Sequence, residues 1–157
     1  MIGKNSNSIS YQVLQDEIGA LPTPQTQIAG CAVNTSGSVL AVVIGGTPIP
    51  LSSMSYNNGI TLASDILTVE PSGVYYISYQ VNTTAALGIG MSTSLYINGS
   101  SSYNFIDNPA ISTNMFKGEG IVSLTAGSTL ELYFSGLLAT ATLIGNMGAV
   151  LTVIKIG

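Results

Sequence analysis

Residues 73–81, GVYYISYQV, alternate in a way that leaves neither side of a strand fully polar. Successive side chains of a strand point to opposite faces, so Tyr75, Ile77, Tyr79 and Val81 share one face, and Val74, Tyr76, Ser78 and Gln80 share the other. The first set suits a hydrophobic core. The second carries Val74 and Tyr76, bulk that a water-facing surface does not require. A chain containing this segment has to fold as a sheet and cover both sides of it.

The rest of the sequence from Ile28 onward supports a β architecture. Short β-type runs are closed by turn residues: VLAVVI (39–44) ends at Gly45-Gly46, ILTV (66–69) runs into Pro71-Ser72-Gly73, and SLYI (94–97) meets Asn98-Gly99, a strong hairpin signal. IVSL and TLELYF flank Thr125-Ala126-Gly127-Ser128, and VLTVIKI closes the sequence. The pattern predicts an all-β antiparallel sandwich over residues 28–157. VLAVVI and AVLTVI are apolar at nearly every position, which predicts that both of their faces are buried, the outer one against another copy of the domain.

Charged residues make up 6% of the chain, where an ordinary soluble domain has about 25%. Such a surface suits association, which charge would oppose. With Lys4, Lys117 and Lys155 as the only basic residues and no Arg, the positive footprint that phosphate binding demands is missing, so nucleic acid is excluded as a partner. There is no His, and the carboxylates are scattered, so no catalytic residues are expected and the chain is read as a non-enzyme. No Asp-rich loop offers a metal site, and no cofactor is expected. The uncharged run Leu132–Ile154 has the length of a bilayer span, but Gly136, Gly145, Asn146 and Gly148 divide it into strand-length pieces, so no membrane span is expected. Cys31 is the single cysteine and is expected to be a packed free thiol.

Residues 1–27 differ from the remainder and end in a Pro22-Thr23-Pro24 spacer; they read as an N-terminal arm and linker. Ile9, Tyr11 and Val13 alternate as in an extended peptide, the favoured reading, while Tyr11, Leu14, Ile18 and Leu21 also fit two heptads of a helical seam. About 25 extended residues reach at most ~80–90 Å, further than a domain roughly 35–40 Å across.

The segments ILTVEPSGVYYISYQVNTTAAL, SLYINGS, IVSLTAGSTLELYFSGLLATATLIG and GAVLTVIKI carry a resemblance to the C-terminal domain of the Bacillus collagen-like exosporium glycoprotein (BclA-like). Through Gly73-x-Tyr75-x-Ile77 and Leu124-x-x-Gly127 the sequence also resembles the wider complement globular-head and tumour-necrosis-factor-like (TNF-like) jelly rolls. The resemblance spans residues 28–157. It implies a homotrimer of ten-stranded jelly rolls on the spore surface, exosporium or appendage, with the sheet that holds the first strand, the last strand and Gly73–Val81 facing the threefold axis. Hair-like members carry a Gly-x-x collagen stalk before this domain; residues 1–27 stand in that place here. The architecture also resembles spore-appendage subunits whose trimers are threaded together by N-terminal peptides.

On that basis Val74, Tyr76, Leu151 and Val153 are the expected trimer-interface residues, on an axis lined by strands 39–44, 74–81 and 149–154. Ile9, Tyr11, Val13, Leu14 and Ile18 are the expected anchors of an inter-trimer arm, with Gly136–Gly148 as part of its acceptor. The expected function is structural: a trimeric subunit polymerising into a fibre or appendage by arms that dock on the next trimer. The alternative is a terminal adhesive head that binds a receptor or carbohydrate. Expected partners are further copies of the chain and a spore-coat anchor protein. No positively charged leader opens the sequence, which predicts a spore-surface protein made without a classical signal peptide.

Overall fold

The computed structural model describes residues 6–20 and 27–157, with the side chains of residues 6–10 outside it. Pro22-Thr23-Pro24 therefore lies outside the described residues, as does the Ile9 side chain. The described part of the arm is a helix, α1 (Ser6–Ala20), which corrects the extended reading. The alternation in Ile9-Tyr11-Val13 is too short to hold a strand by itself. The Leu, Gln, Glu and Ala that follow are good helix formers, and Gly19 sits at the end of the helix, where it interrupts little. Tyr11, Leu14 and Ile18 fall in one stripe at 100° per residue, with Val13 on another side. All four are exposed, Tyr11 at 70% and Ile18 at 66%.

Two antiparallel sheets form the sandwich. The first has the order β10 (Thr113–Leu124), β7 (Gly73–Leu87), β13 (Gly145–Lys155), β1 (Ala29–Ser36) and β4 (Ser53–Asn58). The second runs β5 (Ile60–Ala63), β6 (Ile66–Val69), β11 (Ser128–Ser135), β8 (Ser92–Ile97) and β9 (Ser100–Asp107), with the short β3 (Thr47–Pro48) also on β11. With β3 the second sheet has six strands, and the two sheets form the layers of a jelly roll. A separate ribbon pairs β2 (Val39–Val42) with β12 (Ala139–Thr142). Asn98 and Gly99, both at positive φ, make the tight turn between β8 and β9 that their sequence requires. The uncharged run Leu132–Ile154 is divided among β11, β12 and β13, and among the described residues no helix is long and apolar enough to cross a membrane.

The core lies between the two sheets, and its fully buried members run from Ala32 to Val153. Among the described residues no arm side chain contributes to it, so this core is formed without the described side chains of α1. Phe116 and Phe134 meet edge to face across the layers, with ring centroids 5.5 Å apart. Tyr79 reaches from β7 through the core to the second sheet. Its hydroxyl donates to the Phe105 carbonyl at 2.9 Å and lies 3.1 Å from the Thr93 hydroxyl. The ring rests on Gly118, where an added Cβ would stand 2.5 Å from Tyr79 Cε1.

Burial pushes the Tyr79 hydroxyl up to about 12, so the fold favours the neutral phenol. The raised value means that this contribution is complete below pH ~10, the unfolded value, and is lost as pH rises from about 10 to about 12. The full loss is on the order of 2–3 kcal/mol. Urea midpoints measured between pH 9 and 12 should fall more steeply for the wild type than for Tyr79→Phe. That variant should itself cost ~1–3 kcal/mol at neutral pH, because Phe105 O and Thr93 lose their partner. Parallel pH curves for the two proteins would show that Tyr79 does not titrate in this window.

Candidate functional site

The outward face of the five-stranded sheet is the surface that the surplus bulk of GVYYISYQV identifies. Along β7 the even positions Val74, Tyr76 and Ser78 are half-buried and Gln80 is exposed, while Tyr75, Ile77, Tyr79 and Val81 fill the core. Register then sets the neighbours. Ile121 of β10, Tyr76, Ile154 of β13 and Ala29 of β1 form one cross-strand row. Glu119, Ser78, Thr152 and Cys31 form the next, continued by Tyr56 of β4. Lys117, Gln80, Val150 and Val33 form the third. The middle of the face is thus made of short polar and aliphatic side chains, with its charged groups only on β10.

Tyr76 Oη donates to Glu119 Oε2 at 2.8 Å. That hydrogen bond, with some desolvation, pushes the phenol above its ordinary value. Gln80 Nε2 donates to Asn82 Oδ1 at 3.0 Å, and Asn82 Nδ2 donates to the Met147 carbonyl at 3.1 Å. Thr152 Oγ1 lies 3.5 Å from Cys31 Sγ, so the single thiol is half-buried in this face and is not paired in a disulfide. A shallow groove of about 560 Å³ runs over Tyr76, Ser78, Gln80, Val150 and Thr152. Among the described residues no three His, Cys, Asp or Glu side chains converge as a metal site.

Of the four expected interface residues, Val74 and Tyr76 lie on this face. Leu151 and Val153 do not: both are fully buried and point into the core, opposite Tyr79 and Ile77 of β7. The reason is parity. In a run as apolar as AVLTVI either set of alternate residues could line the core, and the register with β7 selects Ala149, Leu151 and Val153. The outward residues of β13 are Val150, Thr152 and Ile154. Strand 39–44 is corrected as well. It forms β2 and its following turn, pairs with β12 outside the five-stranded sheet, and leaves Val39 67% exposed.

Sequence reasoning missed β10 as part of this face. Its alternation Lys117, Glu119, Ile121 was the available signal, masked by Gly118 and Gly120, which read as breakers. The arm anchors Tyr11, Val13, Leu14 and Ile18 are solvent-exposed on α1.

Residues 30–157 match the family described as BclA C-terminal domain. No curated protein matches the chain in sequence. Among solved structures, murine APRIL at pH 8.5 aligns with a TM-score of 0.65 at 14% identity, covering 83% of this chain and 100% of that one. Eiger TNF from S. frugiperda aligns with a TM-score of 0.62 at 18% identity, covering 85% and 94%. At these identities the likeness is one of fold: a TNF-like jelly roll.

Proposed function

The chain belongs to the BclA C-terminal domain family, and from that premise we propose that it is a structural protein of the bacterial spore surface, a homotrimeric subunit that polymerises through its N-terminal arm. The outward face of the five-stranded sheet lies at the threefold axis, with Val74, Tyr76, Val150, Thr152 and Ile154 buried between copies. Few charges have to be desolvated there, which favours a close contact. No catalytic role is assigned to any residue, and the partners are further copies of the same chain and an anchor protein of the spore coat.

The observation that carries the polymer reading is the mismatch between arm and domain. The core is complete from Ala32 to Val153, yet α1 presents Tyr11, Leu14 and Ile18 as an apolar stripe, with Val13 beside it. A 15-residue helix is marginal on its own in water, and this one has no acidic residue in its first turn and no basic residue in its last to support its dipole. It therefore needs a surface from outside. Each buried apolar anchor contributes ~1.5–3 kcal/mol before ordering costs. Three arms per junction act together through effective concentration, so weak single contacts make a durable joint.

Deleting residues 1–21 tests the reading. The truncated chain should form trimers in solution and no filaments by electron microscopy, while the full-length chain forms filaments. Filaments of unchanged spacing from the truncated chain would defeat it. Isolated trimers from both chains would instead favour a terminal adhesive head.

A further inference from the structure

Exposed apolar side chains are distributed unevenly between the two ends of the sandwich. The arm enters at one end: Ile28 O accepts from the Lys155 amide, Gly157 O accepts from the Val74 amide, and the Thr125–Ser128 turn lies on the same side, beyond the Leu124–Gly73 pair. Among the described residues Ile156 is the exposed large apolar side chain there. The opposite end is built from the β1–β2 and β7–β8 connections, the β9–β10 loop and the β12 region. It exposes Val39, Ile89, Ile111, Leu137, Leu138 and Met147. Segments 37–50, 84–92 and 135–147, which supply five of these six, contain no Asp, Glu or Lys.

We propose that this far end is the seat for α1 of a second copy, so that arm and acceptor occupy opposite ends of every subunit. The inference rests on the polymer reading and adds to it the acceptor surface and the direction of growth. Chain length favours a second copy over the same one. The linker Leu21–Gln27 has seven residues and reaches at most ~25 Å. The far end lies the length of β7 away, 15 residues at ~3.3 Å or about 50 Å. The helix therefore cannot lie flat on its own far end. The far end of a copy stacked beneath the arm's exit is within reach.

Chemistry agrees with that placement. Asp16 falls on the side of α1 opposite the Tyr11, Leu14 and Ile18 stripe, so the stripe can enter an uncharged apolar surface without burying that carboxylate. A donor at one end and an acceptor at the other is a head-to-tail contact. Such contacts repeat without closing and generate filaments. Gly136–Gly148, the segment the sequence suggests as acceptor, supplies Leu137, Leu138 and Met147, and the remaining residues come from three other connections.

The test uses two proteins that fail in complementary ways. One is the full-length chain with Leu137→Asp and Leu138→Asp, both at exposed positions, which keeps the arm and spoils the seat. The other lacks residues 1–21, which keeps the seat and removes the arm. Circular dichroism checks that each is folded, and light scattering with electron microscopy reads assembly. Each alone should stop at the trimer, and an equal mixture should give particles of twice the trimer mass and nothing longer. Filaments from the Asp variant, with the truncated chain still unable to polymerise, would overturn the seat and leave the arm reading intact. A mixture that remains at trimer mass would also overturn the seat. Filaments from the truncated chain would overturn the arm reading itself.

Discussion

On the proposed trimeric reading, Ile154→Asp should give a folded monomer, whereas Leu151→Asp, three residues earlier on the same strand, should prevent folding. Ile154 is half-buried on the outward face, between Tyr76 and Ala29. In a lone subunit an aspartate there remains hydrated and costs little. At a threefold axis three such carboxylates would be desolvated side by side, at several kcal/mol per copy, with mutual repulsion added. Leu151 is fully buried between Ala32 and Tyr79, its neighbours on the adjoining strands. An unpaired carboxylate in that position removes core packing and buries a charge, which together exceed the stability of an ordinary domain this size. Sedimentation analysis with circular dichroism separates the outcomes. A trimeric Ile154→Asp protein would remove the outward face from the interface. A well-folded Leu151→Asp protein would contradict the inward parity of β13.

The same pair of residues shows what was legible in the sequence. GVYYISYQV gave its faces away because Ser78 and Gln80 mark one side as outer, and the structure places Val74 and Tyr76 there. AVLTVI has only Thr152 as a marker, and its faces follow from pairing with β7, a contact with residues some 70 positions away in the chain. VLAVVI was misread for a related reason: continuous apolarity suggests burial on both sides, yet β2 is a short ribbon strand at the apolar end of the domain. In the arm, two periodicities competed within a few residues, and helix formers after Val13 decided the outcome. The turn at Ser64-Asp65 went unrecognised because both residues adopt positive φ without glycine. Asp65 is held there partly by its side chain, whose Oδ1 accepts the Leu51 amide at 3.0 Å.

Gly118→Ala should be a strongly damaging single-methyl change, and the neighbouring Gly120→Ala much milder. Glycine inside a strand normally weakens it, and the KGEG stretch of β10 has two. What makes it a strand is Tyr79, which lies across from Gly118 and occupies the space a side chain would take. The ring cannot step aside, because its hydroxyl is tied to Phe105 O on the opposite sheet. A methyl on Gly118 would press to within 2.5 Å of that ring, whereas one on Gly120 would meet the Phe105 ring at 3.2 Å, a contact that a slight shift relieves. Overpacking of this kind costs ~1–3 kcal/mol per subunit. In a trimer the cost is incurred three times in one assembly, so the urea midpoint should fall well below that of Gly120→Ala. In a Tyr79→Leu background the further cost of Gly118→Ala should be much smaller than in the wild type, since the smaller side chain vacates the space over residue 118. Strictly additive losses would mean that the two positions do not press on each other. β10 would then owe its strand conformation to something other than the ring that crosses from β7.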